Sequence, residues 1–233
     1  MLLKLLPLAL LAIWLWSVLT ARSRATRALM RNSRPLDDWT LLEPVRAFAK
    51  ALDVPGFTVR VLDMDEVNGL ALPGGEIFIS RGLYEKYLAG QVSRDEIAAV
   101  IAHEIGHVAL GHHARRLGAW RTETATLAAL AMVLSRVAFG WLGLLLAIFG
   151  LTLFRNRLTQ ADEFEADAFS AQLMMRADVD PTAMIRLLQK LEGWTGQAGR
   201  LQGPVKWLLS HPPIAERIEH ARAVIAAGVP NEA

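Results

Sequence analysis

Apolar and polar positions divide this chain into two nearly continuous apolar runs and a patterned remainder. The first run, LLKLLPLALLAIWLWSVLT, covers residues 2–20. At about 1.5 Å per helical residue it just crosses a hydrocarbon core of about 30 Å. Trp14 and Trp16 suit an interfacial position near its C-terminal end. Only Lys4 stands on its N-terminal side, whereas Arg22, Arg24, Arg27, Arg31 and Arg34 follow it. Under the positive-inside rule these arginines put the following residues in the cytoplasm and the N-terminus outside. The pattern therefore predicts an uncleaved transmembrane anchor over 1–21 and a basic juxtamembrane linker over 22–35. The alternative, a cleaved signal peptide, lacks an obvious small-x-small cleavage site. The second run, TATLAALAMVLSRVAFGWLGLLLAIFGLTLF over 124–154, is interrupted by Arg136 and Gly140.

The rest is periodic. Leu41, Leu42, Val45, Phe48, Ala49 and Leu52 recur near a 3.6 period and predict a helix over 36–53, ended by Val54-Pro55-Gly56. FTVRVLD, 57–63, alternates as a strand does. NGLALPGGEIFISRGL, 68–83, predicts a turn at Pro73-Gly74-Gly75, a strand over Glu76–Ser80 and then a short helix. Ser93 and Glu96 have capping-box spacing, so a helix starts near Arg94 and buries Ile97, Val100, Ile101, Ile105 and Val108. A further helix is expected over 158–177. Asp180-Pro181 opens another, GWTGQAGRLQG over 193–203 reads as a glycine-rich loop, and a last helix spans 210–228.

Composition narrows the class. Apolar residues make up 53% of the 233, and the mean hydropathy is +0.28. That is high for a soluble domain and low for a polytopic transporter. The formal charge of +2 gives no basic face for nucleic acid, so no nucleic-acid partner is expected. With no cysteine, any transition-metal site must use His, Asp and Glu.

Four of the six histidines fall in IAHEIGHVALGHHARR, 101–116. His103 and His107 are one helical turn apart, and two imidazoles at that spacing can converge on one Zn²⁺. Glu104 projects beside such an ion and suits a general base toward water. A third protein ligand is required. In TQADEFEADAF, 159–169, Glu163 and Asp167 are one turn apart. Glu163 is the candidate ligand, and Asp167 the acceptor for the outer N–H of a ligand histidine. Ala166 and Ala168 would let the two helices approach closely. The competing reading makes Asp162, Glu163, Glu165 and Asp167 a solvated acidic face. His112 and His113, beyond Gly111, read as a solvated helix end, and His220 as a surface residue.

Four stretches in order, NGLALPGGEIFISRGL, HEIGH, EFEAD and HPPIAERI, resemble the HtpX and CAAX-prenyl-endopeptidase family of membrane zinc metalloproteases, from about residue 36 to 225. The resemblance implies a mainly helical α+β, zincin-like protease domain over 36–233. It carries a small β-hairpin or sheet, an N-terminal transmembrane helix and a hydrophobic helical insert over 122–155. It makes Glu163 the third ligand rather than Glu165, with one zinc ion per chain. It also implies that His211 and Arg217 face the scissile peptide as oxyanion stabilisers, that ALPGGEIFIS is a substrate-facing edge strand, and that Asn68 holds substrate backbone. Where family members often carry Ser-Arg before the ligand glutamate, this chain has Thr159-Gln160.

If His103, His107 and Glu163 share one ion, 107 and 163 lie on the same side of the membrane. The run at 124–154 then crosses twice or not at all. Two straight crossings need about 40 residues, and the run has 31. A short helical hairpin in or on the membrane reconciles these facts. The expectation is a membrane-anchored zinc endopeptidase, in a bacterial cell membrane with its catalytic domain cytoplasmic. It would hydrolyse misfolded or membrane-proximal polypeptides and contact lipid. The alternative is a non-catalytic membrane adaptor or holdase on a protease-like fold. The oligomeric state is not legible.

Overall fold

The computed structural model describes residues 24, 26–112, 114–116, 118, 122, 126, 159–198 and 213–229. The expected anchor over 1–21, nearly all of the run at 124–154, and His113 and His211 lie outside the described residues. Among the described residues no helix is long and apolar enough to cross a membrane.

The fold is mainly helical α+β with one small sheet. In chain order come β1 (Ser33–Pro35), α1 (Trp39–Ala51), β2 (Thr58–Leu62), β3 (Gly69–Ala71), β4 (Glu76–Ser80), α2 (Arg81–Leu88) and α3 (Arg94–Ala109). After the insert, residues 159–176 are helical, here α4, followed by α5 (Thr182–Ala198) and α6 (Ile214–Ala227).

The sheet order is β1-β2-β4-β3. The expected hairpin is β3–β4, antiparallel with Leu70 opposite Phe78. β2 and β4 run parallel, Arg60 opposite Phe78. This makes β4 an interior strand, and Ile77, Phe78, Ile79 and Ser80 are all buried. Among the described residues the edge strand beside the cleft is β3. The parallel pairing requires residues 63–68 to cross over the start of α2. Gly82 permits it: a Cβ there would lie 1.8 Å from the carbonyl oxygen of Asp65. Arg81 clasps the same crossing through Asp63 and Asp65. β1 lies within the stretch expected as linker. Its Ser33 accepts from Arg60 Nε through Oγ at 2.8 Å and from Arg60 Nη2 through its carbonyl at 2.7 Å.

α3 begins with the expected capping box: Ser93 Oγ accepts from the Glu96 N–H, and the Glu96 carboxylate accepts from the Ser93 N–H. Glu96 is buried and also receives Lys190 Nζ of α5 at 2.7 Å. Ile97, Ile101 and Ile105 are fully buried against α1 and the sheet, in one core with Phe48, Ile77 and Met174. At about 1.5–3 kcal/mol per buried side chain, these three isoleucines stabilise the helix position by roughly 5–9 kcal/mol. That burial holds rigid a helix whose other face is polar. Val100 and Val108 are only half-buried.

Two expectations need correction. The stretch 193–203 is not a loop from its start: α5 continues through Gly193 and Gly196 to Ala198. Trp194 packs on the core and Lys86 Nζ lies 4.1 Å from its ring centroid, so tertiary contacts override the glycines' poor helix propensity. The last helix begins at Ile214 rather than 210 and ends at Gly228, whose φ is +74°.

Candidate metal centre and catalytic cleft

α3 and α4 cross at small residues. A Cβ added at Gly106 would meet the Cα and carbonyl oxygen of Ala166 at 3.2 Å each. Ser170 Oγ donates to the Ala99 carbonyl at 3.2 Å, two turns nearer the start of α3. This approach brings Glu163 onto the histidine pair. His103 Nε2 and His107 Nε2 are 3.1 Å apart, Glu163 Oε2 is 3.5 Å from His103 Nε2, and Glu163 Oε1 is 3.4 Å from His107 Nε2. Three donors on one tetrahedral zinc, at about 2.0–2.1 Å each, stand about 3.3 Å apart. The triangle fits. Two imidazole nitrogens aimed at each other beside a carboxylate need something positive between them.

The electrostatics say the same. Burial opposes charge on His103, but the Asp167 and Glu163 carboxylates outweigh it and push its pKa up to about 10. Without metal, a proton therefore occupies the position an ion would take. Burial pushes His107 down and keeps that ring neutral, as a ligand must be.

Asp167 Oδ1 lies 2.9 Å from His103 Nδ1. The contact is short but poorly aligned as a hydrogen bond, and His103 Nδ1 has no in-line partner. We regard it as a charge contact, since distance and sign both favour it. Arg217 approaches Asp167 side-on, donating from Nε to Oδ2 and from Nη2 to Oδ1 at 2.7 Å each. Burial opposes the Asp167 charge, but Arg217 and His103 outweigh it and hold the carboxyl at about 2. Arg217 is itself 7% exposed. Its remaining nitrogen, Nη1, is 3.9 Å from Glu163 Oε2. Arg217 thus lines the cleft with two of its three nitrogens taken up by Asp167.

A solvated acidic face is ruled out: Asp162, Glu163 and Asp167 are 1%, 2% and 0% exposed, and only Glu165 is open. The reading of His112 as solvated is also corrected. It is 0% exposed, with Nδ1 2.7 Å from His107 Nδ1 and Nε2 3.1 Å from Glu165 Oε2. Its missed signal is Gly111, whose φ of +66° turns the chain back beneath His107. Arg115 and Arg116 bind this acidic helix. Arg115 Nη2 is 2.7 Å from Glu165 Oε2 and Arg116 Nε is 2.8 Å from Asp162 Oδ2. His220 is half-buried, its ring 5.3 Å from that of Phe164.

Glu104, His103, Glu163, Asp167 and Arg217 line one open cleft with Asn68 and Gly69 on one side and Met184, Leu187, Leu188 and Leu191 of α5 on the other. Glu104 is 9% exposed. Gly69 has no room for a side chain, since a Cβ would lie 2.6 Å from Val100 Cγ1 and 3.0 Å from Glu104 Oε1. The backbone of β3 therefore passes directly beside Glu104. Asn68 Oδ1 accepts from the Gly69 N–H at 3.0 Å, and the Asn68 N–H donates to Ser80 Oγ.

Comparison with known proteins agrees with this geometry. The sequence profile of peptidase family M48 matches residues 36–225. A beta-barrel assembly-enhancing protease of Yersinia pestis is 30% identical over 205 residues, covering 83% of this chain and 41% of that protein. A protease HtpX homolog of Nitrosomonas eutropha is 32% identical over 228 residues, covering 80% of this chain and 72% of that protein. The metalloprotease LoiP of Escherichia coli is 29% identical over 174 residues, 72% of this chain and 62% of that protein. The chain thus spans about two fifths of the length of the Yersinia relative.

Proposed function

We propose, for a chain that belongs to peptidase family M48, a zinc-dependent endopeptidase anchored in a membrane and acting on extended polypeptide. The observation that carries this reading is the donor set of His103, His107 and Glu163, with the two ring nitrogens 3.1 Å apart and one Glu163 oxygen within 3.5 Å of each, opening on the cleft that holds Glu104.

Those three residues would hold one zinc ion. Such an ion supplies a Lewis acid for the scissile carbonyl and lowers the pKa of water. Glu104 takes the proton of the attacking water and delivers it to the leaving amine. The cleft shape suits a strand as substrate. Asn68 and Leu72 bond towards β4, through Ser80 N to Asn68 O and Leu72 N to Glu76 O. By strand alternation the C=O of Gly69 and both the N–H and C=O of Ala71 then face the β3 edge, while the Gly69 N–H is held by Asn68 Oδ1. A peptide adding there by backbone hydrogen bonds passes beside Glu104 with little demand on its sequence. Asn68, at the end of this edge, would contact substrate backbone. His211 would stabilise the developing oxyanion, and Arg217 would hold Asp167 behind His103.

The anchor and the sidedness rest on the sequence. Residues 2–20 form the anchor, the arginines after it favour the cytoplasmic side, and the insert at 122–155 leaves and returns on that same side. Misfolded or membrane-proximal proteins are the substrates this placement favours.

The test is a zinc assay coupled to casein proteolysis. Glu104→Gln should keep about one zinc per chain and lose cleavage. Glu163→Ala should lose both. Normal cleavage by Glu104→Gln ends the mechanism, and no zinc in the parent ends the metal centre. A mature N-terminus near residue 21 would overturn the anchor.

A further inference from the structure

His112 is a buried side chain that the reaction above leaves without a task. Its Nδ1 meets His107 Nδ1 at 2.7 Å and its Nε2 meets Glu165 Oε2 at 3.1 Å. Arg115 Nη2 donates to that same Glu165 oxygen at 2.7 Å. Two facing ring nitrogens at this distance share one proton, and the direction of donation follows from the chemistry. When His107 offers the lone pair of Nε2 to an ion, its ring proton sits on Nδ1. His112 Nδ1 must then accept. The ring proton of His112 is left on Nε2, where it faces a carboxylate that can only accept. With neutral rings, no other assignment satisfies every contact.

We infer that His112 is a positioning residue for the metal: it accepts the His107 Nδ1–H and so fixes the tautomer and ring orientation in which His107 presents Nε2 to the ion. Glu165 and Arg115 hold His112 in turn. The inference rests on the metal-centre reading given under the proposed function.

The same residues invite a different use. Donor atoms of His112, Asp162 and Glu165 lie within 4.8 Å of one another, a spacing that can hold a second ion. Charge opposes this. Arg115 and Arg116 already bind the two carboxylates, at 2.7 and 2.8 Å, so two positive groups balance two negative ones.

The experiment titrates zinc into the full chain in detergent, after chelator treatment, against a chromophoric chelator of known affinity. The parent is compared with His112→Leu, His112→Asn and His112→Gln. The thermal midpoint of each metal-free protein is recorded alongside. Parent binding of one zinc is expected. His112→Leu should weaken it about 10- to 100-fold, the usual effect of losing a partner behind a ligand. The Asn side-chain oxygen sits where Nδ1 does and should restore most of the affinity. The Gln side chain reaches the place of Nε2 and should not. A merely structural role would move the metal-free midpoints and leave Asn and Gln alike in affinity. If His112→Leu does not fold, the Asn and Gln pair decides. Equal affinity for Asn and Gln, parent affinity in His112→Leu, or two zinc ions in the parent with one lost in the variants overturns the inference. A parent that binds no zinc overturns the metal centre itself, and the inference with it.

Discussion

Replacing Arg217 with alanine should unfold the metal-free protein more readily before it does anything to the chemistry. The side chain is 7% exposed and makes two 2.7 Å hydrogen bonds to an Asp167 that is 0% exposed. Among the described residues its loss leaves the buried Asp167 carboxylate beside one other cation, the protonated His103. Breaking a buried pair from one side costs about 3–5 kcal/mol, and the remaining charge contact with His103 favours the lower end. Proton linkage gives a second route. The Asp167 carboxyl moves from its ordinary 3.8 to about 2 on folding. A shift of that size corresponds to about 2 kcal/mol. The folded pKa is the lower one, so this contribution is present above about 3.8 and disappears as the pH falls towards 2. Near neutral pH the first route gives about 3 kcal/mol and the second about 2 kcal/mol. The assay is urea denaturation of the chelator-treated protein by tryptophan fluorescence. Arg217→Ala and Asp167→Leu should each lose about 3 kcal/mol, and the double variant should lose much less than their sum because no charge is stranded. An Arg217→Ala variant within about 1 kcal/mol of the parent, with kcat alone reduced, would refute the reasoning and return Arg217 to the scissile peptide.

Gly106→Ala gains about 1 kcal/mol of helix propensity but presses on Ala166, so global stability should hardly move. The helices must part by a few tenths of an ångström, and zinc affinity in a chelator competition should fall about tenfold; unchanged affinity would show that the crossing does not set the donor spacing. Gly82→Ala puts a methyl group 1.8 Å from the Asp65 carbonyl oxygen. It should cost about 3 kcal/mol or more in urea denaturation, and a cost below 1 would contradict the crossing described here. Asp180 caps α5, accepting from the Thr182 N–H at 2.9 Å, and Arg186 Nη2 lies 2.8 Å from it. Burial opposes its charge, but Thr182 and Arg186 outweigh it and hold the carboxyl below its ordinary 3.8. Asp180→Ala should cost about 1 kcal/mol at neutral pH, and the difference from the parent should shrink as the pH falls below that value, since protonation removes the advantage.

What was legible in the sequence was local. The Ser93–Glu96 box, the Pro73-Gly74-Gly75 turn and the 3.6 period of α1 and α3 each depend on residues within a few positions. The histidine pair and Glu163 were legible because helical geometry converts spacing into a shared face. Arg217 and Asp167 are 50 residues apart, and nothing in either segment says that two nitrogens of one will be spent on the other. β1 is three residues long and exists because β2 is there to pair with it. Gly193 and Gly196 argued for a loop, yet a tryptophan between them had a core to join. His112 misled for a subtler reason. A histidine past a glycine is usually at a frayed end, but here the glycine's positive φ is what returns it to the interior.

The segment EFEAD shows why the second helix of the site leaves so little freedom. Glu163 completes the candidate donor set with His103 and His107, and Phe164 packs edge-on against His220 at 5.3 Å. Glu165 holds His112 and Arg115, Ala166 admits Gly106, and Asp167 joins His103 to Arg217. Each histidine of the candidate donor set is thus backed by a chain of polar groups that ends in an arginine, and both chains pass through this one turn and a half of helix. The consequence is mechanical. A rotation of α4 that spoils the Glu163 donor also withdraws the groups behind both histidines, so the three donors must be gained or lost together. A glutamate moved to this position on another scaffold would supply the charge without the two backing chains. The donor triangle therefore belongs to the pair of crossed helices rather than to the HEIGH sequence alone.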